Sequence, residues 1–214
     1  MVKTKTDIAL FCTIILAFVL WFVMFVIRPL NFWLMMSIST SLLAAVSFAF
    51  KRPMILREEL SLKNILAGIL AAGLLYFVFL VGNQALALVS GLFPSLVPDR
   101  AGNIEAVYAN RGALSPAVVG ILLFFPIGFG EEIFWRGFVQ ARFSEKWGPA
   151  AAFGLTTLFY VGVHVPTGNA VLILAAFTCA VFWGGMYMVS GKLVPVLVSH
   201  MIWDPAIFVL WPIK

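Results

Sequence analysis

Six ionisable side chains lie within the apolar runs of the C-terminal half of this sequence: Glu131, Glu132, Arg136, His164, His200 and Asp204. Both histidines of the chain belong to this set. An ionisable side chain inside a membrane costs about 2.5–3.5 kcal/mol or more, so such residues indicate a functional site by default. Carboxylates and imidazoles accept and release protons near neutral pH, so the set predicts acid–base chemistry.

Helix periodicity separates these residues into pairs. Glu132 and Arg136 are four residues apart with the glutamate first, which is the favourable order for an ion pair on one helix face, and we interpret them as structural support. Glu131 lies about 100° around the helix from Glu132 and has no partner within its own helix. His200 and Asp204 are also four residues apart and share a face of another helix.

If the helices that carry these residues pack together, their polar faces converge on one pocket. With neutral histidines, that pocket holds two glutamates and one aspartate against one arginine, a formal charge of −2. In a poorly hydrated site, a histidine must then become charged, a carboxylate must hold a proton, or a cation must bind. The structural alternative is that each histidine only forms a hydrogen bond to a neighbouring helix. Ser199 and Thr157 are interpreted as helix-packing hydroxyls.

The composition requires a membrane environment around this pocket. Of the 214 residues, 63% are hydrophobic and 11% are charged, whereas a soluble domain carries roughly 25% charged residues. The net charge of +5 comes from basic residues that lie between apolar runs, which argues against a nucleic-acid-binding protein. Cys12 and Cys179 both lie inside apolar runs and indicate buried thiols, with no disulfide framework.

The apolar runs predict an all-α, polytopic integral membrane bundle of about seven transmembrane helices. The predicted spans are approximately 8–27, 30–50, 65–93, 116–143, 150–164, 170–189 and 194–210. We divide the chain into N-terminal helices with an outer loop at 94–115, which together form residues 1–115, and a catalytic four-helix core at 116–214. Ser115 and Pro116 are predicted to occupy the N-cap and first position of the fourth helix.

The fifth span is shorter than the hydrocarbon core of a membrane. Its fifteen residues reach about 22 Å, against a hydrocarbon core of about 30 Å. The segment that begins at His164 and contains Pro166 cannot continue it as a helix. Because backbone that stops at membrane depth must be buried in protein or line a wet cavity, we expect a cavity at His164.

Basic residues predict the orientation in a cell (inner) membrane, with the first span uncleaved and the N-terminus in the cytoplasm. Nine then fall on the inner side: Lys3, Lys5, Lys51, Arg52, Arg57, Lys63, Arg142, Lys146 and Lys192. Four fall on the outer side: Arg28, Arg100, Arg111 and Lys214.

Three motifs of this sequence resemble those of the CAAX protease and bacteriocin-processing family, also called Abi, a family of intramembrane proteases. E-E-x-x-x-R occupies 131–136, F-x-x-x-H occurs as Y-x-x-x-H at 160–164, and H-x-x-x-N/D occupies 200–204. The resemblance covers about 116–205 and departs at two positions. Tyr160 stands where Phe is usual, and Asp204 stands where the prenyl-protein proteases have Asn.

The resemblance implies an intramembrane endopeptidase in which Glu131 and His164 activate a water molecule. It implies that His200 and position 204 stabilise the tetrahedral intermediate. Asp204 can donate a hydrogen bond to an oxyanion only if it is protonated, which is the form that we expect in a pocket with surplus negative charge. An ionised Asp204 would instead orient His200 or help to hold a cation.

The sequence favours a mechanism without a cofactor. A glutamate and two histidines would suit zinc, with Glu131, His164 and His200 as ligands. However, these residues come from three helices and form no contiguous H-E-x-x-H motif.

The expected substrate is a membrane-associated or lipidated protein or peptide that is cut near its end. It could carry a prenylated CAAX-like tail, a bacteriocin leader or a C-terminal sorting signal. The alternatives are a non-catalytic immunity or scaffold protein that keeps the fold, and a proton-coupled carrier. A carrier predicts an inverted repeat, which the sequence lacks, and a scaffold predicts loss of the motif residues, which are all present.

Overall fold

The computed structural model describes residues 2–50, 57–95, 97–110 and 114–213. Within these ranges the chain forms helices and turns and no strand. The predicted all-α, polytopic membrane bundle is therefore confirmed. Four basic residues used to predict the orientation lie outside the described residues: Lys51, Arg52, Arg111 and Lys214.

Ten α-helices follow one another along the described chain. They are α1 Val2–Phe22, α2 Phe32–Phe50, α3 Leu62–Leu92, α4 Arg100–Ala109, α5 Pro116–Leu122, α6 Phe129–Glu132, α7 Ala141–Trp147, α8 Pro149–Gly162, α9 Ala170–Ser190 and α10 Val194–Pro205. Wider π-helical turns continue α1, join α5 to α6 and α6 to α7, and extend α10: Val23–Ile27, Leu123–Gly128, Ile133–Gln140 and Ala206–Leu210. Six segments are long and apolar enough to cross a membrane, and the shorter apolar segment Val194–Leu210 follows them.

Local sequence determines where several helices begin and end. The side chain of Ser115 accepts a hydrogen bond from Val118 N at 3.3 Å, and Pro116 follows in the first turn, as predicted. Asn169 caps α9 in the same way, with its Oδ1 2.9 Å from Leu172 N. Gly191 ends α9 with a φ of 64°, a left-handed conformation that glycine adopts without steric cost.

The fourth span is broken, whereas the sequence predicted one continuous helix over 116–143. Phe125 has extended backbone angles, φ −153° and ψ 124°, between α5 and α6. Pro126 follows it, and proline has no N–H to continue a helical hydrogen-bond ladder. The break separates α5 from α6, which carries the two glutamates.

The predicted loop at 94–115 contains α4, so the prediction was wrong for residues 100–109. The carboxylate of Asp99 caps this helix by accepting a hydrogen bond from Gly102 N at 3.1 Å. Asn169 Nδ2 donates to the carbonyl oxygen of Asn103 at 2.8 Å, which ties α4 to the start of α9.

Tyr108 connects α4 to the C-terminal end of the chain. Its hydroxyl accepts a hydrogen bond from Ile213 N at 2.9 Å and donates one to the carbonyl oxygen of Ile207 at 3.3 Å. Burial raises the pKa of this hydroxyl above its ordinary value, so Tyr108 remains a neutral phenol that can donate and accept at once.

Two glycines allow helices to approach closely around the polar residues. A Cβ on Gly130 would lie 2.8 Å from the carbonyl oxygen of Thr40, so α6 rests directly on the backbone of α2. A Cβ on Gly68 would lie 2.6 Å from Val198 Cβ, so α3 rests equally closely on α10. Small residues of this kind permit tight helix packing in membranes.

Glu59, in the short turn before α3, holds the beginning of α10. Its carboxylate is buried and accepts hydrogen bonds from Leu193 N at 2.8 Å and Val194 N at 3.0 Å. A carboxylate at a helix N-terminus satisfies free backbone donors and the helix dipole. The N-terminal half of the chain therefore positions the helix that carries His200 and Asp204.

Candidate active site

A cavity of about 100 Å³ lies in the bundle, and Glu131, His164, His200 and Asp204 all line it, together with Tyr160. All five side chains are buried. Liquid water occupies about 30 Å³ per molecule, so the cavity has room for a few water molecules. The structure thus brings together the four residues that the sequence predicted as catalytic, from α6, the end of α8, and α10.

Glu131 has a partner from another helix. The hydroxyl of Tyr160, on α8, donates to Glu131 Oε2 at 3.0 Å. Glu131 is the first of the two glutamates in α6, where Gly130 keeps the helix against α2. This bond holds one carboxylate oxygen and leaves the other, Oε1, for a substrate or a water molecule.

His164 lies where α8 ends, in the turn that precedes the 3₁₀ segment Val165–Thr167. Its Nδ1 lies 2.7 Å from the carbonyl oxygen of Tyr160. A carbonyl can only accept, so Nδ1 carries the hydrogen, and the neutral ring keeps Nε2 as an acceptor. The predicted early end of the fifth span and the cavity beside it are both present.

A chain of charged groups crosses from α6 to α10. Arg136 Nη1 donates to Glu132 Oε1 at 2.8 Å, which is the ion pair expected from their spacing. His200 Nδ1 lies 2.7 Å from the same oxygen, and His200 Nε2 lies 3.3 Å from Asp204 Oδ2. Both ring nitrogens of His200 can donate to these carboxylates at once only in the imidazolium form.

These four connected groups account for most of the charge in the pocket. Arg136 and an imidazolium at His200 balance Glu132 and Asp204. Among the six ionisable side chains identified from the sequence, the charge of Glu131 is then left without an opposite charge, and a neutral hydroxyl is its partner. A carboxylate in that setting is suited to accept a proton from a bound water molecule.

Trp183, on α9, fixes the ring plane of His200. The two rings are stacked with centroids 3.7 Å apart and 18° between their planes. Trp183 Nε1 donates in turn to Ser199 Oγ at 3.1 Å, so Ser199 has a hydrogen-bonded packing role. An aromatic face against an imidazolium also contributes a cation–π attraction.

The sequence reasoning missed three features of this site: the contact of Glu132 with His200, the hydroxyl of Tyr160 on Glu131, and the ring of Trp183. Tyr160 offered a signal, because it lies four residues before His164 and differs from the usual Phe of its motif. Trp183 offered none, since a tryptophan in an apolar run is ordinarily a packing residue.

A shared metal site is not apparent in the described part of the chain, where no three His, Cys, Asp or Glu side chains are grouped to hold an ion. The set Glu131, His164 and His200 does not fit zinc in this arrangement, because His200 directs both nitrogens at carboxylates. We therefore assign no catalytic step to a metal.

The comparisons with known proteins agree with the motifs. Residues 113–206 match the family model of type II CAAX prenyl endopeptidases, Rce1-like. The match covers the break in the fourth span, α6 to α9 and all of α10. It confirms the resemblance identified from the three motifs. No curated protein and no solved structure matched the chain.

Proposed function

We propose, from a C-terminal region that matches the CAAX prenyl endopeptidase family, that this multi-pass membrane protein is an intramembrane endopeptidase. Its substrate is a membrane-associated or lipidated protein, and the peptide bond that it hydrolyses lies near the end of that substrate. One observation carries the proposal: Glu131 and His164 line the same small, buried cavity as the His200–Asp204 pair.

Glu131 acts as the general base in this proposal. A water molecule between Glu131 and His164 gives one proton to the Glu131 carboxylate while its oxygen attacks the scissile carbonyl carbon. His164 orients this water by accepting its second hydrogen at Nε2. The carbonyl π electrons move to the oxygen and form a tetrahedral oxyanion. When the C–N bond breaks, the protonated Glu131 returns its proton to the leaving nitrogen.

The imidazolium of His200 supplies a fixed positive field when the oxyanion forms. His200 is held by Glu132 on one side and Asp204 on the other, so its charge needs no reorganisation when the oxyanion forms. In this proposal Asp204 is the ionised partner that orients His200, because its Oδ2 faces a ring nitrogen that can donate. Arg136 and Glu132 position the imidazolium and take no part in proton transfer.

A second cavity, of about 190 Å³, suggests how an apolar part of the substrate is held. It is lined by residues of α3, α4, α9 and α10 and is mostly apolar. Leu172, Trp203 and Phe208 line both this cavity and the one that contains Glu131. An apolar segment or lipid chain bound there would place the adjoining peptide next to Glu131, which supports a substrate from the membrane.

The test compares cells of the source organism that carry the wild-type chain with cells that carry Glu131→Gln. Protein termini in the two membrane fractions are identified by mass spectrometry. We expect at least one membrane protein to accumulate uncleaved with Glu131→Gln, because Gln has nearly the same shape and cannot act as a base. Glu105→Gln, on the exposed face of α4, is the matched control and should process this protein normally.

The alternative, a non-catalytic immunity or scaffold protein, predicts a different result. Glu131→Gln would then leave every terminus in the membrane fraction unchanged. Identical termini in the two strains, with equal amounts of both proteins in the membrane, would contradict the endopeptidase.

A further inference from the structure

Peptide hydrolysis needs a hydrogen-bond donor for the oxygen that becomes negative, and most donors that line the catalytic cavity are already used. His200 directs both ring nitrogens at carboxylate oxygens. His164 donates its Nδ1–H to a backbone carbonyl. An ionised Asp204 has no hydrogen to donate.

The indole groups around the cavity do not fill this role. Trp183 donates its N–H to Ser199. The indole nitrogens of Trp33 and Trp203 have no hydrogen-bond partner, but both are buried with almost no accessible surface, so they present little of their N–H to a bound substrate. Cys179 has only a weakly donating thiol. The side-chain amide of Asn110, at the end of α4, also lines the cavity and is the second candidate donor.

Tyr160 is the strong donor that lies next to the proposed base. Its hydroxyl is 3.0 Å from Glu131 Oε2. Its ring packs edge to face against Trp135, with centroids 5.3 Å apart, and the Arg136 guanidinium lies 5.0 Å from the ring centroid. Its carbonyl oxygen accepts the hydrogen bond from His164, so the same residue contacts both proposed partners of the water molecule.

We propose that the Tyr160 hydroxyl is a catalytic donor to the oxyanion, an inference that rests on the proposed function. In the resting site the hydroxyl donates to the ionised Glu131. Once Glu131 has taken the proton from water, its carboxyl group is neutral and a weaker acceptor. The hydroxyl then turns to the newly negative oxygen of the tetrahedral intermediate. Tyr160 keeps its proton throughout, and its bond returns to Glu131 when the leaving nitrogen has been protonated.

The test uses the purified full chain and one source of substrate. That source is solubilised membranes from cells that carry only Glu131→Gln, in which uncleaved substrate has accumulated. New protein termini are quantified over time for the wild type and for Tyr160→Phe, Asp204→Asn and the double variant. Tyr76→Phe is the matched control, because it also removes one hydroxyl and one hydrogen bond, to the carbonyl of Trp211, outside the catalytic cavity.

Tyr160→Phe should lower the rate by about 10²–10³-fold, the usual effect of removing one oxyanion donor. Tyr76→Phe should leave the rate unchanged. An Asn at position 204 keeps an oxygen that accepts from His200 and adds an N–H that can donate. The double variant should therefore be at least about tenfold faster than Tyr160→Phe, which a merely structural role for Tyr160 would not produce.

Rates are normalised to folded, monodisperse protein, so that a loss of fold is separated from a loss of chemistry. A rate of Tyr160→Phe equal to that of the wild type would overturn the assignment, as would a double variant as slow as Tyr160→Phe. A large loss with Asn110→Ala, together with a small loss with Tyr160→Phe, would assign the donor to α4 instead. If the wild type itself forms no new termini in these membranes, the proposed function fails rather than this inference.

Discussion

At the scale of single residues, one carboxylate oxygen joins two helices. Glu132 Oε1 lies 2.8 Å from Arg136 Nη1 and 2.7 Å from His200 Nδ1, and all three side chains are buried. Removing one member of a buried charged set leaves the remaining charges unpaired in a poorly hydrated site. The resulting loss of stability is larger than the net stabilisation that the intact pair provides. Glu132 is thus expected to affect both stability and catalysis, whereas Glu131 affects catalysis alone.

We predict that Glu132→Gln and Arg136→Ala each lower the free energy of unfolding by about 3–5 kcal/mol, while Glu131→Gln stays near the wild type. Thermal melting of the purified protein in detergent measures this. Arg142→Ala is the control, because Arg142 pairs with the exposed Glu145 and an exposed pair contributes at most about 1 kcal/mol. Equal loss of stability with Glu131→Gln and Glu132→Gln would contradict the division of roles between the two glutamates.

A metal-free mechanism predicts that chelators leave the enzyme active. The purified chain, incubated with EDTA or 1,10-phenanthroline and then dialysed, should release new termini at an unchanged rate, because no proposed step uses an ion. The measurement includes readdition of Zn²⁺. Loss of activity on chelation and recovery with Zn²⁺ would assign the water to a metal held by Glu131 and the histidines.

The sequence predicts the pairs within helices and not those between helices. Spacing of four residues was enough to predict the contacts of Glu132 with Arg136 and of His200 with Asp204. The contacts of Glu132 with His200 and of Glu131 with Tyr160 join positions 68 and 29 residues apart. These contacts depend on how each helix is rotated about its axis relative to its neighbours. Helical periodicity within one segment does not predict that rotation.

At the scale of helices, close backbone contact sets the position of α6. We predict that Gly130→Ala destabilises the protein by about 1–3 kcal/mol, the usual effect of overpacking, because its Cβ would lie 2.8 Å from the carbonyl oxygen of Thr40. The substitution should also lower the cleavage rate, because Glu131 is the next residue. Melting temperature and cleavage rate are measured on the same preparation.

Gly73→Ala is the control for this substitution, because a Cβ at Gly73 meets no atom within 4 Å. It should melt at the wild-type temperature or slightly above it. If Gly130→Ala and Gly73→Ala behaved alike, close contact of α6 with α2 would not position the site.

Apolar length predicted the helices well, and its failures have physical causes. The break at Phe125 was missed because the flanking residues remain apolar and only Pro126 indicates it. Helix α4 was missed because its ten residues are too polar and too short to appear as an apolar run, although Asp99 is a good N-cap residue.

At the scale of the whole molecule, seven crossings would place the two termini on opposite sides of the membrane. The distribution of basic residues predicts that the N-terminus is cytoplasmic and the C-terminus is outside. In a bacterial host, alkaline phosphatase fused after residue 214 should therefore be active. Green fluorescent protein fused at the same site should not fluoresce. The opposite pair of results would reverse the orientation.

The short length of α8 predicts that the proposed reaction depends on the lipid around the protein. Its 14 residues span about 21 Å, which is less than a hydrocarbon core of about 30 Å, and it ends beside His164. A bilayer adapts to such hydrophobic mismatch by thinning next to the short segment, at a modest cost for each ångström. Water would then reach His164 through this thinned patch, independently of the path that brings the substrate. In liposomes of increasing acyl-chain length, hydrolysis should slow while the protein remains folded, so membrane thickness would itself regulate the supply of water to the reaction.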